Sequence, residues 1–309
     1  MTAIKPKILV IRGGAIGDFI LTLPVLAALR RQFPQAHLEV LGYPHIVQLA
    51  LAGGLADRVQ PIEAGPLAGF FARGGKLSHD WADYFSEFDL IVSYLFDPDD
   101  IFRTNVGRCS PAQFVAAPHR PDEAEKIHAT KVYLKPLERL AIFDADPVPR
   151  LALNPQPSTL NQLALHPGSG SEKKNWPEAK WADLLQHLTR RANLDLLLVG
   201  GEAEGDRLRR LTAAAPSARL QVAKNLPLAE LALRLQTCAG FIGHDSGVSH
   251  LAAALGLPCL VLWAGTVEEI WRPQGERLVI VREPDGVCAI SVERVMQELG
   301  AMLKIRQRD

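Results

Sequence analysis

The stretch KILVIRGGAIGDFILTLP (residues 7–24) sets an unbroken apolar run, a glycine turn and an apolar helical segment in direct succession. Residues 7–11 are continuous and rich in β-branched side chains, which reads as a parallel strand buried on both faces. Gly13, Gly14 and Gly17 follow, and a helical stretch runs to about Gln32. Pro24 interrupts it; proline is at home near a helix start and kinks an interior. Strand, glycine turn and helix in this order open a doubly wound α/β domain. The turn is not a dinucleotide fingerprint. With Gly14 and Gly17 in place, G-x-G-x-x-G needs its first glycine at position 12, which is Arg12. Nor does the next strand, HLEVLGY (37–43), end on the acid that such a site places on a ribose; Glu39 lies inside it. No GK[ST] tripeptide follows, so a P-loop is excluded as well. Interest passes to Asp18. It either caps the helix that it opens or presents a carboxylate able to take a proton from a hydroxyl.

Outward from this stretch the pattern repeats. DLIVSYL (89–95) is a further strand of the first half, and strands separated by helical segments imply a parallel sheet. DADPVPRLALNPQPS (144–158) carries four prolines and marks a boundary. We therefore expect one domain over 1–155 and a second over 156–309. The second restarts with the strand LALH (163–166), the loop PGSGSEKKN and the amphipathic helix WPEAKWADLLQHLTRR (176–191). Strands DLLLVGG (195–201), ARLQV (218–222), GFIG (240–243), PCLVLWAG (258–265) and RLVIVR (277–282) follow, with helices from about Glu204, over LPLAELALRLQTC and over SGVSHLAAALG. A closing helix spans 291–306, packing in its own half or back on the first. Two similar doubly wound domains facing each other across a cleft are expected, with ligands outside the carboxyl ends of the strands.

Bulk properties fit this outline. A chain of 309 residues suggests two domains at roughly 150 residues each. Lys+Arg and Asp+Glu both number 34, and a net charge of zero argues against nucleic-acid partners, which need a basic surface. Cys109, Cys238, Cys259 and Cys288 form no CxxC pair, so we expect reduced, mostly buried thiols and no zinc or dithiol centre. The N-terminus has only a short apolar run before Arg12 and does not read as a signal peptide. No run approaches the ~18 apolar residues of a membrane span. A cytoplasmic protein is expected.

The second half carries the stronger chemical signals. HPGSGSEKKNWP (166–177) is a loop whose small residues let backbone N–H groups approach an anion. Ser169 and Ser171 add hydroxyls, Gly170 adds space, and Lys174 supplies a point charge for phosphate oxygens; the alternative is a plain solvated loop. GHDSGVSHLAAALG (243–256) opens a helix with Asp245, Ser246, Gly247 and Val248 after a buried strand, and the free N–H groups and dipole there favour a diphosphate. Asp245 alternatively caps that helix. His250 lies one turn on, and a lone histidine of this kind is more often packed and hydrogen-bonded than chemically active. In VGGEAE (199–204), Glu202 either meets ribose hydroxyls or is a surface residue at a helix start. No His, Cys and carboxylate cluster has ligand spacing, so no metal is expected.

Three motifs now stand in order: GDFILTLP, HPGSGSEKKNWP and GHDSGVSHLAAALGLP. Together they resemble the ADP-heptose:lipopolysaccharide heptosyltransferases, glycosyltransferase family 9, over about residues 7–273. HATKVYLKPLERL (128–140) looks like the helix before that family's linker. The resemblance implies a GT-B fold, acceptor in the N-terminal domain and nucleotide-sugar donor in the C-terminal one. By the same resemblance Asp18 is the base that deprotonates the acceptor hydroxyl. Ser169, Gly170 and Lys174 contact the donor phosphates, Glu202 meets the ribose, and Asp245, Ser246, Gly247, Val248 and His250 hold the diphosphate and sugar. The chemistry implied is inverting displacement with no metal and no cofactor, from ADP-heptose or a related donor to a glycan or glycolipid acceptor of the cell envelope. The location implied is cytoplasmic, with peripheral association at the inner face of the membrane.

The chain departs from the family in places. Where the family usually reads GPTDP, residues 264–271 read AGTVEEIW: Thr266 is kept, and Val267-Glu268 replaces Asp-Pro. Residues 65–86, GPLAGFFARGGKLSHDWADYFS, carry Arg73 and Lys76, which either meet an acidic acceptor or sit on a mobile exposed loop. SYLFDPDD (93–100) is acidic where an anionic acceptor would be repelled. A sugar-nucleotide epimerase on the same scaffold and a non-catalytic nucleotide-sugar or glycan-binding protein are the competing readings.

Overall fold

The strands named above pair as two all-parallel sheets in a computed structural model that describes residues 5–154, 161–190 and 194–305. The chain divides into two compact units, Met1–Pro147 and Val148–Asp309. The division falls eight residues before the expected one at 155/156. Leu151 is already buried in the second unit, where its N–H donates to the Ala254 carbonyl (2.8 Å). Residues 155–158 of the proline-rich stretch, Arg191 and Gln307 to Asp309 lie outside the described residues, as does residue 306 at the end of the expected closing helix.

In the first unit, β1 (Lys7–Arg12) leads through the glycine turn to α1 (Ile16–Ile20) and α2 (Leu23–Gln32), then β2 (His37–Gly42) and α3 (Pro44–Ala52). β3 (Arg58–Pro61), α4 (His79–Ser86), β4 (Leu90–Ser93), α5 (Ile101–Gly107), β5 (Gln113–Ala116) and α6 (Ala129–Leu134) complete it. The expected single helix to Gln32 is two helices, because Pro24 sits in the first turn of α2, where its missing N–H costs nothing. Strand order is β3-β2-β1-β4-β5. Leu9 and Ile11 point into one core with Phe70, Phe85, Ile91 and Phe102, while Ile8 and Val10 are buried on the other face. Burial on both faces is why β1 reads as a continuous apolar run.

The second unit runs β6 (Gln162–Leu165), α7 (Glu178–Thr189), β7 (Asp195–Gly200), α8 (Gly205–Ala214), β8 (Leu220–Lys224), α9 (Leu228–Leu235), β9 (Gly240–His244), α10 (Gly247–Ala254), β10 (Cys259–Leu262), α11 (Glu268–Trp271), β11 (Leu278–Val281) and α12 (Val292–Ile305). Its strand order is β11-β10-β9-β6-β7-β8. The apolar side of α12 is taken up within this unit: Val295, Leu299 and Met302 share a core with Leu163, Trp176, Trp181 and Leu260. Cys238 and Cys259 are buried, Cys109 is half-buried, and Cys288 is exposed.

Each sheet reverses its winding once. In the second unit the chain moves outward from β6 to β8, returns to β9 beside β6, and moves outward again to β11. The crevice of such a sheet opens at the carboxyl ends of the two central strands. Here those ends carry the loop 166–177 after β6 and Asp245 with the start of α10 after β9. In the first unit the reversal lies between β1 and β4, beside the turn that carries Asp18.

Candidate functional site

The second unit gathers three loops on one carboxylate. Asp245, only 7% exposed, accepts hydrogen bonds through Oδ2 from Lys174 Nζ (2.6 Å) and from Thr266 Oγ1 (2.6 Å). Asp245 therefore does not cap α10; Ser246 holds the cap position, and no side chain closes the first turn. The carboxylate joins the loop after β6, the loop after β9 and the loop after β10. Its other oxygen, Oδ1, has no hydrogen-bond partner among the described residues. Thr266, the part of AGTVEEIW retained from the family pattern, is one of the two groups that hold it. Glu268, which replaces a proline there, starts α11 and pairs with Arg272 (3.5 Å) and Arg282 (3.3 Å). Lys174 remains 28% exposed. An ammonium has three donors, and one is committed to Asp245.

The loop 166–177 is ordered by its own polar groups. The Ser169 hydroxyl lies 2.8 Å from the Ser171 carbonyl and 2.8 Å from Asn175 Oδ1, and its single proton serves one of them at a time. Arg207, from α8, donates to the Pro167 carbonyl (3.1 Å) and to Glu172 (2.8 Å). Hydrogen bonding from Asn175 and then from Arg207 holds the Glu172 carboxyl below its ordinary range. Gly170 has open space around it. Gly168 has none: a Cβ there would lie 2.4 Å from Glu204 Oε1. Beneath the loop, burial pushes His244 down to about 4 and His166 down to about 3, so both imidazoles are neutral near pH 7. His166 Nδ1 lies 3.4 Å from the Ser246 hydroxyl.

The structure thus brings Ser169, Lys174, Asp245 and Ser246 together, with Gly170 on the loop's open side and Gly247, Val248 and His250 in the first turn of α10. His250 is buried, as the plain packed reading expects. Glu202 is exposed in the turn after β7. It is Glu204, two residues on, that turns inward, accepting the Gly201 N–H (2.8 Å) and packing on Gly168. The sequence does not single out His244, Arg207 or Glu204, because each meets the loop 166–177 from a part of the chain remote in sequence.

In the first unit Asp18 occupies the third position of α1, and its Oδ2 accepts the Ala15 N–H (3.0 Å). It therefore does close the helix start, and it does more. Oδ1 lies 3.5 Å from Arg12 Nη2. Arg12 is 3% exposed, donates to the His119 carbonyl (2.8 Å), and stacks with its guanidinium 4.6 Å from the Tyr133 ring centre. The residue that breaks the dinucleotide pattern is thus the buried counter-charge of Asp18. Gly14 has φ +100°, and a Cβ there would stand 2.8 Å from Asp18 Oδ2. Only glycine lets the turn pass that close to the carboxylate.

Arg73 is exposed and faces Asp99 (3.8 Å); Lys76 is exposed. Both follow a short ordered turn. Residues 65–71 form a 3₁₀ turn with Leu67 and Phe70 in the core, and the Asn105 amide donates to the Phe70 (3.0 Å) and Ala72 (2.9 Å) carbonyls. The acidity of 93–100 has a local use: Asp97 accepts the N–H groups of Phe102 and Arg103 (3.0 Å each) at the start of α5.

Two doubly wound parallel units, with loops seated at the carboxyl edge of the second, define the class as a GT-B type α/β protein. The family model for glycosyltransferase family 9 (heptosyltransferase) matches residues 143–301, and the chain belongs to that family. Lipopolysaccharide heptosyltransferase 1 of Pseudomonas aeruginosa is 35% identical over 131 residues, a match spanning 42% of this chain and 33% of that relative. This chain therefore aligns with about a third of that relative's length. Lipopolysaccharide heptosyltransferase 3 of Escherichia coli is 24% identical over 85% of this chain and 84% of its own. Among solved structures, E. coli heptosyltransferase WaaC with ADP superposes with a TM-score of 0.77 at 17% identity, covering 96% of this chain and 99% of that one. Its likeness is one of fold. The loop 166–177, Asp245 and Thr266 all fall inside the family match; Asp18 falls outside it.

Proposed function

We propose that this protein moves a heptose, or a closely related sugar, from ADP-heptose or a similar nucleotide sugar to a lipopolysaccharide-core or other cell-envelope glycan, with inversion at the sugar carbon. The observation that carries the reading is Asp245 seating Lys174 beside the uncapped start of α10, a cation and free backbone N–H groups of the kind that suit a diphosphate. Family membership and the ADP in the similar WaaC structure support the donor class.

In the reaction an acceptor hydroxyl oxygen bonds to the anomeric carbon as the bond from that carbon to the β-phosphate oxygen breaks. The nucleoside diphosphate leaves with the electron pair, and the hydroxyl proton passes to Asp18. Lys174 and the first-turn N–H groups of α10 meet the charge that grows on the leaving diphosphate. Oδ1 of Asp245 is available to a sugar hydroxyl. Asp18 has the form needed of a base, since each of its oxygens keeps a lone pair beyond its contact with Ala15 or Arg12. No helix among the described residues is long and apolar enough to cross a membrane.

The test pairs calorimetric titration with ADP, UDP and GDP with mass spectrometry of products from a panel of nucleotide sugars and envelope acceptors. ADP should bind, and acceptor mass should rise by one sugar. Asp18→Ala should keep ADP binding and lose about a hundredfold or more of transfer, the usual contribution of a general base. Binding of none of the three nucleotides removes the donor site, and undiminished transfer by Asp18→Ala removes the base.

A further inference from the structure

We propose that His244 is a positioning residue for the loop 166–177: its imidazole fastens both ends of the loop, so that Lys174 and the loop amides stand ready for a diphosphate. The proposal rests on the reading of the second unit as a nucleotide-sugar donor site.

His244 is the last residue of β9 and is fully buried. Its Nε2 lies 2.8 Å from the Trp176 backbone nitrogen, near the loop's end. A backbone N–H only donates, so Nε2 accepts and carries no proton. The proton of the neutral ring is then on Nδ1, which donates to the Gly168 carbonyl at 3.1 Å, near the loop's start. One rigid ring thus spans from Gly168 to Trp176, and the exposed part of the loop arches between these two ties. Both ties are to backbone groups of buried residues, Gly168 and Trp176, that would lose these partners if the ring were absent. The Trp181 ring, from α7, meets the imidazole edge-on with centres 5.5 Å apart and fixes its plane.

The next residue along the chain is Asp245, which holds Lys174 from the same loop. The dipeptide 244–245 therefore fixes the loop's two ends and its cation together. Charged and titratable groups face His244 from each element around it: His166 after β6, Glu172 within the loop, Arg207 on α8, and Asp245, with Lys174 beyond it. Burial outweighs these and keeps the ring neutral, the only form in which Nε2 can accept. Being fully buried, the ring touches no substrate. Its effect is to remove the cost of ordering the loop on binding.

Three variants separate the two ties. His244→Asn keeps a donor near the Nδ1 position for Gly168. His244→Gln places an acceptor near the Nε2 position for Trp176. His244→Leu removes both. Leu185→Ala, in the same core, serves as a control for general destabilisation. The measurements are the ADP dissociation constant and amide hydrogen exchange of the peptide spanning 166–177. His244→Leu should weaken ADP binding about tenfold, near 1.4 kcal/mol, and speed exchange of that peptide at least as much, with Asn and Gln falling between. Leu185→Ala should leave ADP affinity within about twofold. Wild-type affinity in His244→Leu, or an equal loss in Leu185→Ala, overturns the proposal. Should His244→Leu not fold, wild-type affinity in both Asn and Gln variants overturns it. A wild type that binds no nucleoside diphosphate overturns the donor-site reading instead, a result distinct from a binding wild type with unaffected variants.

Discussion

Substituting Asp245 by Asn replaces one carboxylate oxygen with an NH2 group, removes a buried charge and should register in both stability and binding. The carboxylate is 7% exposed and sits 2.6 Å from an ammonium that is 28% exposed. At that separation and an effective dielectric near 20, the attraction is roughly 6 kcal/mol. Desolvation of both ions offsets most of it, and measured losses on breaking buried pairs run about 3–5 kcal/mol. Because Lys174 is partly open to water, and because Asn still accepts from Thr266, we expect about 2 kcal/mol for Asp245→Asn. For a unit of this size that lowers Tm by about 4–8 °C. The double-mutant cycle with Lys174→Met isolates the pair and should give a coupling of about 1–2 kcal/mol. Thermal and urea unfolding of the four proteins supply these values, and ADP titration of the same set supplies the functional arm. ADP should bind at least tenfold more weakly to Asp245→Asn, since Lys174 loses the group that aims it. A coupling below about 0.3 kcal/mol would show an ordinary surface pair. Tighter ADP binding would show that the carboxylate only opposes the diphosphate, and would refute the seating argument.

Other outcomes follow from the same geometry. Gly14→Ala forces a residue at φ +100° against Asp18 Oδ2, so transfer should fall at least tenfold while ADP affinity in the other unit stays unchanged, which kinetics and titration check. Arg12→Met removes the counter-charge of Asp18 and should likewise depress transfer at least tenfold with ADP affinity intact, Arg12→Lys restoring part of it; full activity in the Met variant would show Arg12 to be packing alone. Stability should depend on pH through the buried histidines. A histidine lowered to about 4 in the fold stays neutral while the unfolded chain, near 6.5, takes up its proton. Its contribution is therefore complete above pH 6.5 and is lost as pH falls toward 4. Urea unfolding at pH 7.5 and 5 should show about 2 kcal/mol of this loss from His244 in the wild type. His244→Gln should lack that share, and equal pH dependence in the two proteins would refute it.

Much of the fold is legible in the sequence because parallel strands buried on both faces read as unbroken apolar runs, as in residues 8–11 and 196–199. The strands β3 and β5 are not legible for the converse reason. They are the two edges of the first sheet, half-covered and short, and β3 ends on Pro61, which only an edge tolerates. The candidate site divides in the same way. Glycines, serines and a lysine before a helix mark the loop 166–177, and an acid after a glycine turn marks Asp18. Glu202 and Glu204 both stand at a helix start, and nothing in the sequence tells which one turns inward. The close approach of Gly168 decides it for Glu204.

By itself, then, the sequence determined two doubly wound halves, the loops at their carboxyl edges and the chemical types those loops carry. Periodicity and turn chemistry are local, and they are written in consecutive residues. Tertiary structure alone decided that Arg12 is the buried partner of Asp18, that Asp245 joins Lys174 to Thr266, and that His244 spans Gly168 and Trp176. The last two depend on β6 and β9 lying side by side although more than seventy residues separate them, an adjacency set by the order of strands in the sheet.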